Sequence, residues 1–130
     1  MGELPLMLVI EDEYLLLGDM ERALADGGFA TEGASSGEEA IAKFIDEAKK
    51  YKALVADVDL GHGQLNGWDV ARRIREKEPA FPVVYVTGAT AADWASQGVP
   101  NSILIQKPFA PAQLATAISN LLNIGTLPTA

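Results

Sequence analysis

The chain contains no cysteine, and this absence excludes several kinds of chemistry. Disulfide bonds, thiol nucleophiles and cysteine-ligated metals are ruled out, and the composition suits a reducing compartment. Basic residues are also scarce, because 10 lysines and arginines stand against 18 acidic residues and give a net charge of −8. Nucleic acids and anionic membranes are bound through basic surfaces, so we expect no direct binding to either.

Long hydrophobic runs are missing as well. The longest apolar stretch near the N-terminus, LPLMLVI, is far shorter than the roughly 20 residues of a membrane-spanning helix. Acidic Glu3 and no basic segment precede this stretch, so we expect no secretory signal and predict a cytoplasmic location. Hydrophobic residues still make up 48% of the chain, which is enough for a core. We therefore predict one domain over residues 1–130, with its core at about 6–122.

Short apolar runs alternate with segments of helical periodicity. The predicted strands cover residues 6–10, 29–32, 54–58, 82–87 and 103–106, and the predicted helices cover 12–26, 36–48, 68–77, 90–96 and 111–122. Strands that are apolar throughout predict a parallel sheet covered by helices on both faces. The fold class is therefore α/β, built from five successive βα units.

Several residues mark the expected helix starts. Ser36 and Glu39 have the spacing of a capping box at the second helix, and Asn66 or Gly67 lies near the cap of the third. Thr90 stands where it would cap the fourth helix. The second helix is expected to bury one apolar face, made of Ala40, Ile41, Phe44, Ile45 and Ala48.

Polar residues gather at one predicted edge of the sheet. Right-handed crossovers bring the carboxyl ends of parallel strands to the same edge, where ligands of such sheets bind. The residues at these strand ends are Glu11, Asp12, Asp57, Thr87 and Lys107. Three carboxylates repel one another unless a cation enters, and oxygen ligands of this kind suit Mg²⁺. One carboxylate can then act as a nucleophile toward phosphorus, with a lysine, a hydroxyl and backbone N–H groups stabilising the charge.

Four segments, VIEDE, LVADVDLG, VVYVTGA and ILIQKPF, occur in this order and each at a predicted strand end. Together they resemble the receiver domain of two-component response regulators, over residues from Leu6 to about Leu122. The resemblance implies a flavodoxin-like, doubly wound five-stranded sheet of order 2-1-3-4-5. It implies a signalling module that is not a turnover enzyme, and that catalyses only its own phosphorylation and dephosphorylation. Its phosphodonor would be a histidine kinase or a histidine phosphotransfer protein, and phosphorylation would switch binding to an unknown downstream protein. A monomer or weak homodimer is expected.

The resemblance also implies a role for each acidic residue at the edge. Asp57 resembles the phosphoacceptor. Asp12, Asp57 and the backbone carbonyl of Asp59 would bind Mg²⁺, with Glu11 acting through a water molecule on the metal. These four residues are therefore expected to form the metal site.

The resemblance also assigns roles to residues at the ends of the fourth and fifth strands, and this chain departs from the family pattern at two positions. Thr87 would hydrogen-bond the phosphoryl oxygen and Lys107 would pair with it, and the peptide bond to Pro108 would be cis. The family pattern has a proline where this chain has Gly61, and often an aromatic residue where it has Leu104. Since leucine has no ring and no hydroxyl, we expect switching to act on the backbone of residues 88–94, with Leu104 changing little.

Other functions remain open from the residues alone. The DVDLG segment also resembles the Asp-x-Asp pair of haloacid-dehalogenase-like phosphatases, although that pair normally lies on the first strand of a longer chain. A flavodoxin-like cofactor binder would need a phosphate-cradling loop after the first strand, where this chain has the anionic EDEY. Since no output domain follows the last predicted helix, a stand-alone shuttle, competitor or phosphate sink is expected, and a receiver excised from a hybrid kinase or larger regulator is the alternative.

Overall fold

The computed structural model describes residues 4–47, 50–60 and 63–123. Five strands and five α-helices alternate within these ranges. The strands are β1 (Leu6–Ile10), β2 (Ala30–Ala34), β3 (Ala53–Asp57), β4 (Val83–Thr87) and β5 (Ile103–Gln106), and the helices are α1 (Tyr14–Asp26), α2 (Gly37–Asp46), α3 (Gly67–Lys77), α4 (Trp94–Gln97) and α5 (Pro111–Asn123). A 3₁₀ turn, Ala91–Asp93, precedes α4. None of the helices in these ranges is both long and apolar enough to cross a membrane.

All five strands are parallel and form one sheet in the order β2-β1-β3-β4-β5, which confirms the predicted fold. The register keeps the strand ends level, because Asp57 lies opposite Val86 and Thr87 lies opposite Gln106. The carboxyl ends of β3, β4 and β5 therefore meet at one edge.

The core lies on both faces of this sheet. On one face Leu54 and Ala56 pack under α2 and α3, and on the other Ala53 and Val55 pack under α1 and α5. Every residue of β3 and β4 is buried, as their continuous apolar sequences predict. These two strands are the rigid support from which the polar side chains at the edge project.

The start of α3 is tightly fixed against the end of β3. Asn66 and Asp69 form a full capping box, since each side chain accepts a hydrogen bond from the backbone N–H of the other, at 3.1 and 3.0 Å. A Cβ on Gly67 would lie 2.7 Å from the carbonyl oxygen of Asp57. Only glycine lets the helix approach this closely, so the capped helix end holds Asp57 in place.

Three expectations about helices were wrong in detail. Helix α1 begins at Tyr14 and not at residue 12, because the Glu13 N–H is taken by the side chain of Glu11 at 2.9 Å. Ile45, expected on the buried face of α2, is 59% exposed, while residue 48 lies outside the described residues. The segment 90–96 forms the 3₁₀ turn and the four-residue α4, and Thr90 makes no capping bond.

The second strand and the second capping box also differ from expectation. Strand β2 runs over Ala30–Ala34, two residues further than predicted, because its pairing with β1 continues through Ile10. Ser36 accepts the Glu39 N–H at 3.1 Å as predicted, but the Glu39 carboxylate reaches the Ser35 N–H at 2.8 Å. The helix start is capped, with the return bond moved back by one residue.

Candidate functional site

The predicted site residues lie at or just past the carboxyl ends of the strands. Glu11 follows β1, Asp57 ends β3, Thr87 ends β4 and Lys107 follows β5. Within the described ranges, the buried polar and charged side chains are those of Glu11, Asp57 and Thr87, and all three lie at this edge. Burial of polar groups is costly, so their concentration here points to a functional site.

The acidic residues form one cluster. Glu11, Asp12 and Asp57 each offer one carboxylate oxygen, and these oxygens all lie within 4.8 Å of one another. Glu11 Oε1 is buried and accepts no hydrogen bond from the described residues. Burial is the main cause that raises the pKa of Glu11 to about 8; the Glu13 N–H opposes the rise and the charge of Asp57 adds to it. A buried carboxylate oxygen that accepts no hydrogen bond, among other carboxylates, fits a hard divalent cation such as Mg²⁺.

Lys107 brings the positive charge of the site. Its Nζ atom lies 3.1 Å from Asp57 Oδ1 and 3.7 Å from Glu11 Oε1. Burial alone lowers the pKa of Lys107, but the charge and hydrogen bond of Asp57 outweigh burial and raise it above its ordinary value. The ammonium group is therefore charged, and it compensates part of the carboxylate repulsion. The Lys107–Pro108 peptide bond is cis, as the resemblance implied.

Thr87 is engaged by a carboxylate other than Asp57. Its hydroxyl donates a hydrogen bond to Asp59 Oδ2 at 2.7 Å, and the hydroxyl of Thr90 donates to Asp59 Oδ1 at 3.0 Å. The two hydroxyl oxygens are themselves 2.7 Å apart. We call these three residues, Asp59, Thr87 and Thr90, the hydroxyl–carboxylate triad. This engagement of Asp59 disfavours the general-acid role that the phosphatase alternative requires.

Thr90 is the residue of this site whose part was missed from the sequence. It was expected to cap a helix, but its hydroxyl donates to the Asp59 carboxylate instead. Hydrogen bonds to carboxylates are stronger than those to neutral groups. The sequence carries a partial signal, an acid two residues after Asp57 and a hydroxyl three residues after Thr87. Only the level ends of β3 and β4 bring the two together.

The loop between β3 and α3 is held from α2. Glu38 Oε2 accepts hydrogen bonds from the backbone N–H groups of Gln64 and Leu65, at 2.8 and 3.2 Å. The bond from Gln64 is the main cause that lowers the pKa of Glu38. Residues 61 and 62 of the loop lie outside the described residues. The contact anchors Gln64 and Leu65 just before α3, a role that sequence reasoning did not give to Glu38.

An aromatic side chain lies beside Leu104, but on the neighbouring strand. Tyr85 of β4 is opposite Leu104 in the register and is fully buried. Its ring centroid is 4.5 Å from that of Trp68, and its hydroxyl accepts the Val99 N–H at 3.0 Å. Residues opposite each other in a parallel sheet project to the same face, so a fixed ring occupies the space next to Leu104.

Comparison with known sequences identifies the family. A sequence model described as the response regulator receiver domain matches residues 7–119. The chain belongs to this family, and the receiver resemblance predicted from the four strand-end segments is confirmed.

Solved structures of similar sequence share the fold. A response regulator receiver protein from Sinorhizobium medicae WSM419 is 44% identical with a TM-score of 0.87, and the match covers 93% of this chain and 96% of that one. The receiver domain of NtrX from Brucella abortus is 26% identical with a TM-score of 0.78, over 90% of this chain and 98% of that domain.

Two curated regulators are also similar over most of this chain. The phyllosphere-induced regulator PhyR of Methylorubrum extorquens is 28% identical over 89% of this chain and 43% of PhyR. The transcriptional regulatory protein CusR of Escherichia coli K12 is 25% identical over 92% of this chain and 52% of CusR. The chain thus spans about half the length of the curated relatives it matches.

Proposed function

We propose that residues 1–130 form a single receiver domain in which Asp57 accepts a phosphoryl group from a histidine kinase or a histidine phosphotransfer protein. The observation that carries the proposal is the setting of Asp57, a buried carboxylate 3.1 Å from Lys107 and clustered with Glu11 and Asp12. Phosphorylation then changes the affinity for a downstream protein.

The chemistry follows from the positions of the charges. An Asp57 oxygen attacks phosphorus, the P–N bond of phosphohistidine breaks, and the histidine nitrogen leaves with the bonding electron pair. Lys107 lies close enough to Asp57 to pair with an oxygen of the transferred group, and the Asp59 N–H already donates to Asp57 Oδ1 at 3.3 Å. These donors stand where negative charge develops.

A magnesium ion is part of the proposal. Asp12, Asp57 and the backbone carbonyl of Asp59 would hold it, with Glu11 beside them. When bound, the ion supplies positive charge that draws the phosphodonor toward three carboxylates that otherwise repel it. The protein's own contribution is to hold these oxygens close together at a rigid sheet edge.

The experiment measures phosphoryl uptake by intact mass. The chain is incubated with phosphoramidate, a small donor that has the same P–N bond, with and without Mg²⁺, and Asp57→Asn is compared with wild type. One phosphoryl group should be gained only by wild type and only with Mg²⁺. Uptake that persists in Asp57→Asn would move the phosphoacceptor to another residue. No uptake by wild type, from either phosphoramidate or a phosphorylated histidine phosphotransfer protein, would reject the function.

A further inference from the structure

The hydroxyl–carboxylate triad has more short contacts than hydrogens to fill them. Each threonine hydroxyl has one hydrogen to donate, and an ionised carboxylate has none. The three contacts among Asp59, Thr87 and Thr90 are 2.7, 2.7 and 3.0 Å long, so at most two of them are hydrogen bonds at once. If both hydroxyls donate to Asp59, the Thr87 and Thr90 oxygens face each other at 2.7 Å without a hydrogen between them.

Two donors on one carboxylate also weaken each other, because each withdraws the negative charge to which the other is attracted. The Thr87 bond to Asp59 is therefore weaker than it would be alone. When a new anionic acceptor on Asp57 claims the Thr87 hydrogen, Asp59 retains the donor from Thr90, and the crowded contact between the hydroxyl oxygens is relieved. Release of Thr87 is then less costly than release of a sole donor.

We infer that Thr90 is a positioning residue that holds Asp59 while the Thr87 hydroxyl turns to the phosphorylated Asp57. This inference rests on the proposed function. Thr90 touches neither the phosphoryl group nor the metal in this scheme, and acts through Asp59. It sets how readily Thr87 is released, and with it the balance between the resting and the phosphorylated conformations.

The size of the effect follows from exposure. Asp59 and its hydrogen bond to Thr90 are exposed, so water replaces part of any lost bond. Loss of a buried hydrogen bond would lower the affinity for a phosphoryl mimic more strongly. Removing the Thr90 hydroxyl should therefore weaken binding of a phosphoryl mimic about fivefold, the equivalent of one modest hydrogen bond.

The experiment titrates beryllofluoride with Mg²⁺ and follows the amide shifts of the Asp57 site. Thr90→Val keeps the side-chain shape and should weaken binding about fivefold, while Thr90→Ser keeps the hydroxyl and should restore most of the affinity. The decisive comparison uses Asp59→Ala as background. If Thr90 acts through Asp59, Asp59→Ala/Thr90→Val should bind as Asp59→Ala does.

The outcomes separate the inference from the proposed function. Equal affinity of wild type and Thr90→Val overturns the inference, and so does a fivefold loss that persists in the Asp59→Ala background, since that loss would come from packing. Wild type that binds no beryllofluoride, or that binds it as well as Asp57→Asn does, overturns the proposed function together with the inference.

Discussion

Lys107 Nζ lies 3.1 Å from Asp57 Oδ1, although β4 lies between β3, which ends at Asp57, and β5, which Lys107 follows. The lysine reaches across the end of β4, where its backbone N–H is bonded to the carbonyl of Thr87 at 2.9 Å. The positive charge is thus fixed by the sheet itself. The ends of three neighbouring strands, β3, β4 and β5, thus contribute to this arrangement.

The first prediction concerns this lysine. Lys107→Met should fold, because the side chain is partly exposed, but should slow phosphoryl uptake by about tenfold to a hundredfold, as expected when a charge-stabilising donor is lost. Uptake is timed with phosphoramidate and Mg²⁺. Lys52→Met, at an exposed lysine, is the matched control. Equal rates in the two variants would show that Lys107 has no part in the transfer.

The second prediction concerns metal. Mg²⁺ should raise the melting temperature in proportion to the logarithm of its concentration above the dissociation constant, because it binds the folded cluster. Asp12→Ala should lower the affinity about tenfold or more, while Asp46→Ala, an exposed acid at the end of α2, should not. Identical Mg²⁺ titrations of the two variants would place the metal elsewhere.

The third prediction concerns the stability of the fold at low pH. Glu32 accepts a hydrogen bond from the Tyr51 hydroxyl at 2.6 Å and pairs with Lys50 at 3.0 Å, and these contacts lower its pKa from 4.5 to about 2. The folded state thus favours the ionised carboxylate, whose contribution to stability is complete above pH 4.5 and is lost as the pH falls toward 2.

The test compares wild type with Glu32→Gln in urea unfolding. The variant should be less stable by about 1 kcal/mol near neutral pH, since the pair is partly exposed, and the difference should shrink steadily below about pH 4.5. Glu76→Gln, at an exposed acid of α3, is the matched control. A difference that stays constant with pH would mean that the Glu32 charge does not stabilise the fold.

The fourth prediction compares two glycines. Gly67→Ala should destabilise the fold by about 3 kcal/mol or more, because its Cβ would lie within 2.8 Å of the backbone of Asp57 and Val58. Gly18→Ala, inside α1 and with nothing within 4 Å of the new Cβ, should stabilise by about 0.5–1 kcal/mol. Urea unfolding measures both. Similar effects of the two substitutions would contradict the close approach of α3 to β3.

The fifth prediction concerns switching. Beryllofluoride should shift the amides of residues 88–94, while Leu104 keeps its rotamer, because the buried ring of Tyr85 already occupies the adjacent space. Thr87→Ala should abolish the loop shifts. Methyl and amide NMR spectra report both parts. A rotamer change at Leu104 with a still loop, or a loop response that survives Thr87→Ala, would refute it.

Much of the fold was predictable because β1, β3 and β4 are almost entirely apolar and the polar residues of the site stand at strand ends. That pattern is local in the sequence, so Asp57, Thr87 and Lys107 were placed correctly at one edge. The boundary of β2 was not predictable in this way, since Gly33 and Ala34 become strand only by pairing with β1. Short segments with weak propensities take their structure from their neighbours.

The part of the site that sequence reasoning missed is the part made by distant side chains. Thr90 and Asp59 are 31 residues apart, and Glu38 is 26 residues from Gln64. From the local sequence Thr90 could equally cap a helix, and its neighbours in the chain do not reveal that its hydroxyl bonds to the Asp59 carboxylate. Such choices depend on competing partners that only the folded chain brings within reach.

The pairing of Tyr85 with Leu104 has a consequence for partner recognition. Tyr85 is fully buried and packs on Trp68 of α3, so, if the fifth prediction holds, the surface of β5 is the same in the resting and the phosphorylated states. A partner that distinguishes the two states would then have to contact the backbone of residues 88–94. Exposed loop residues can change in sequence without disturbing the core. Under the proposed function, partner choice could therefore vary independently of the stability of the fold.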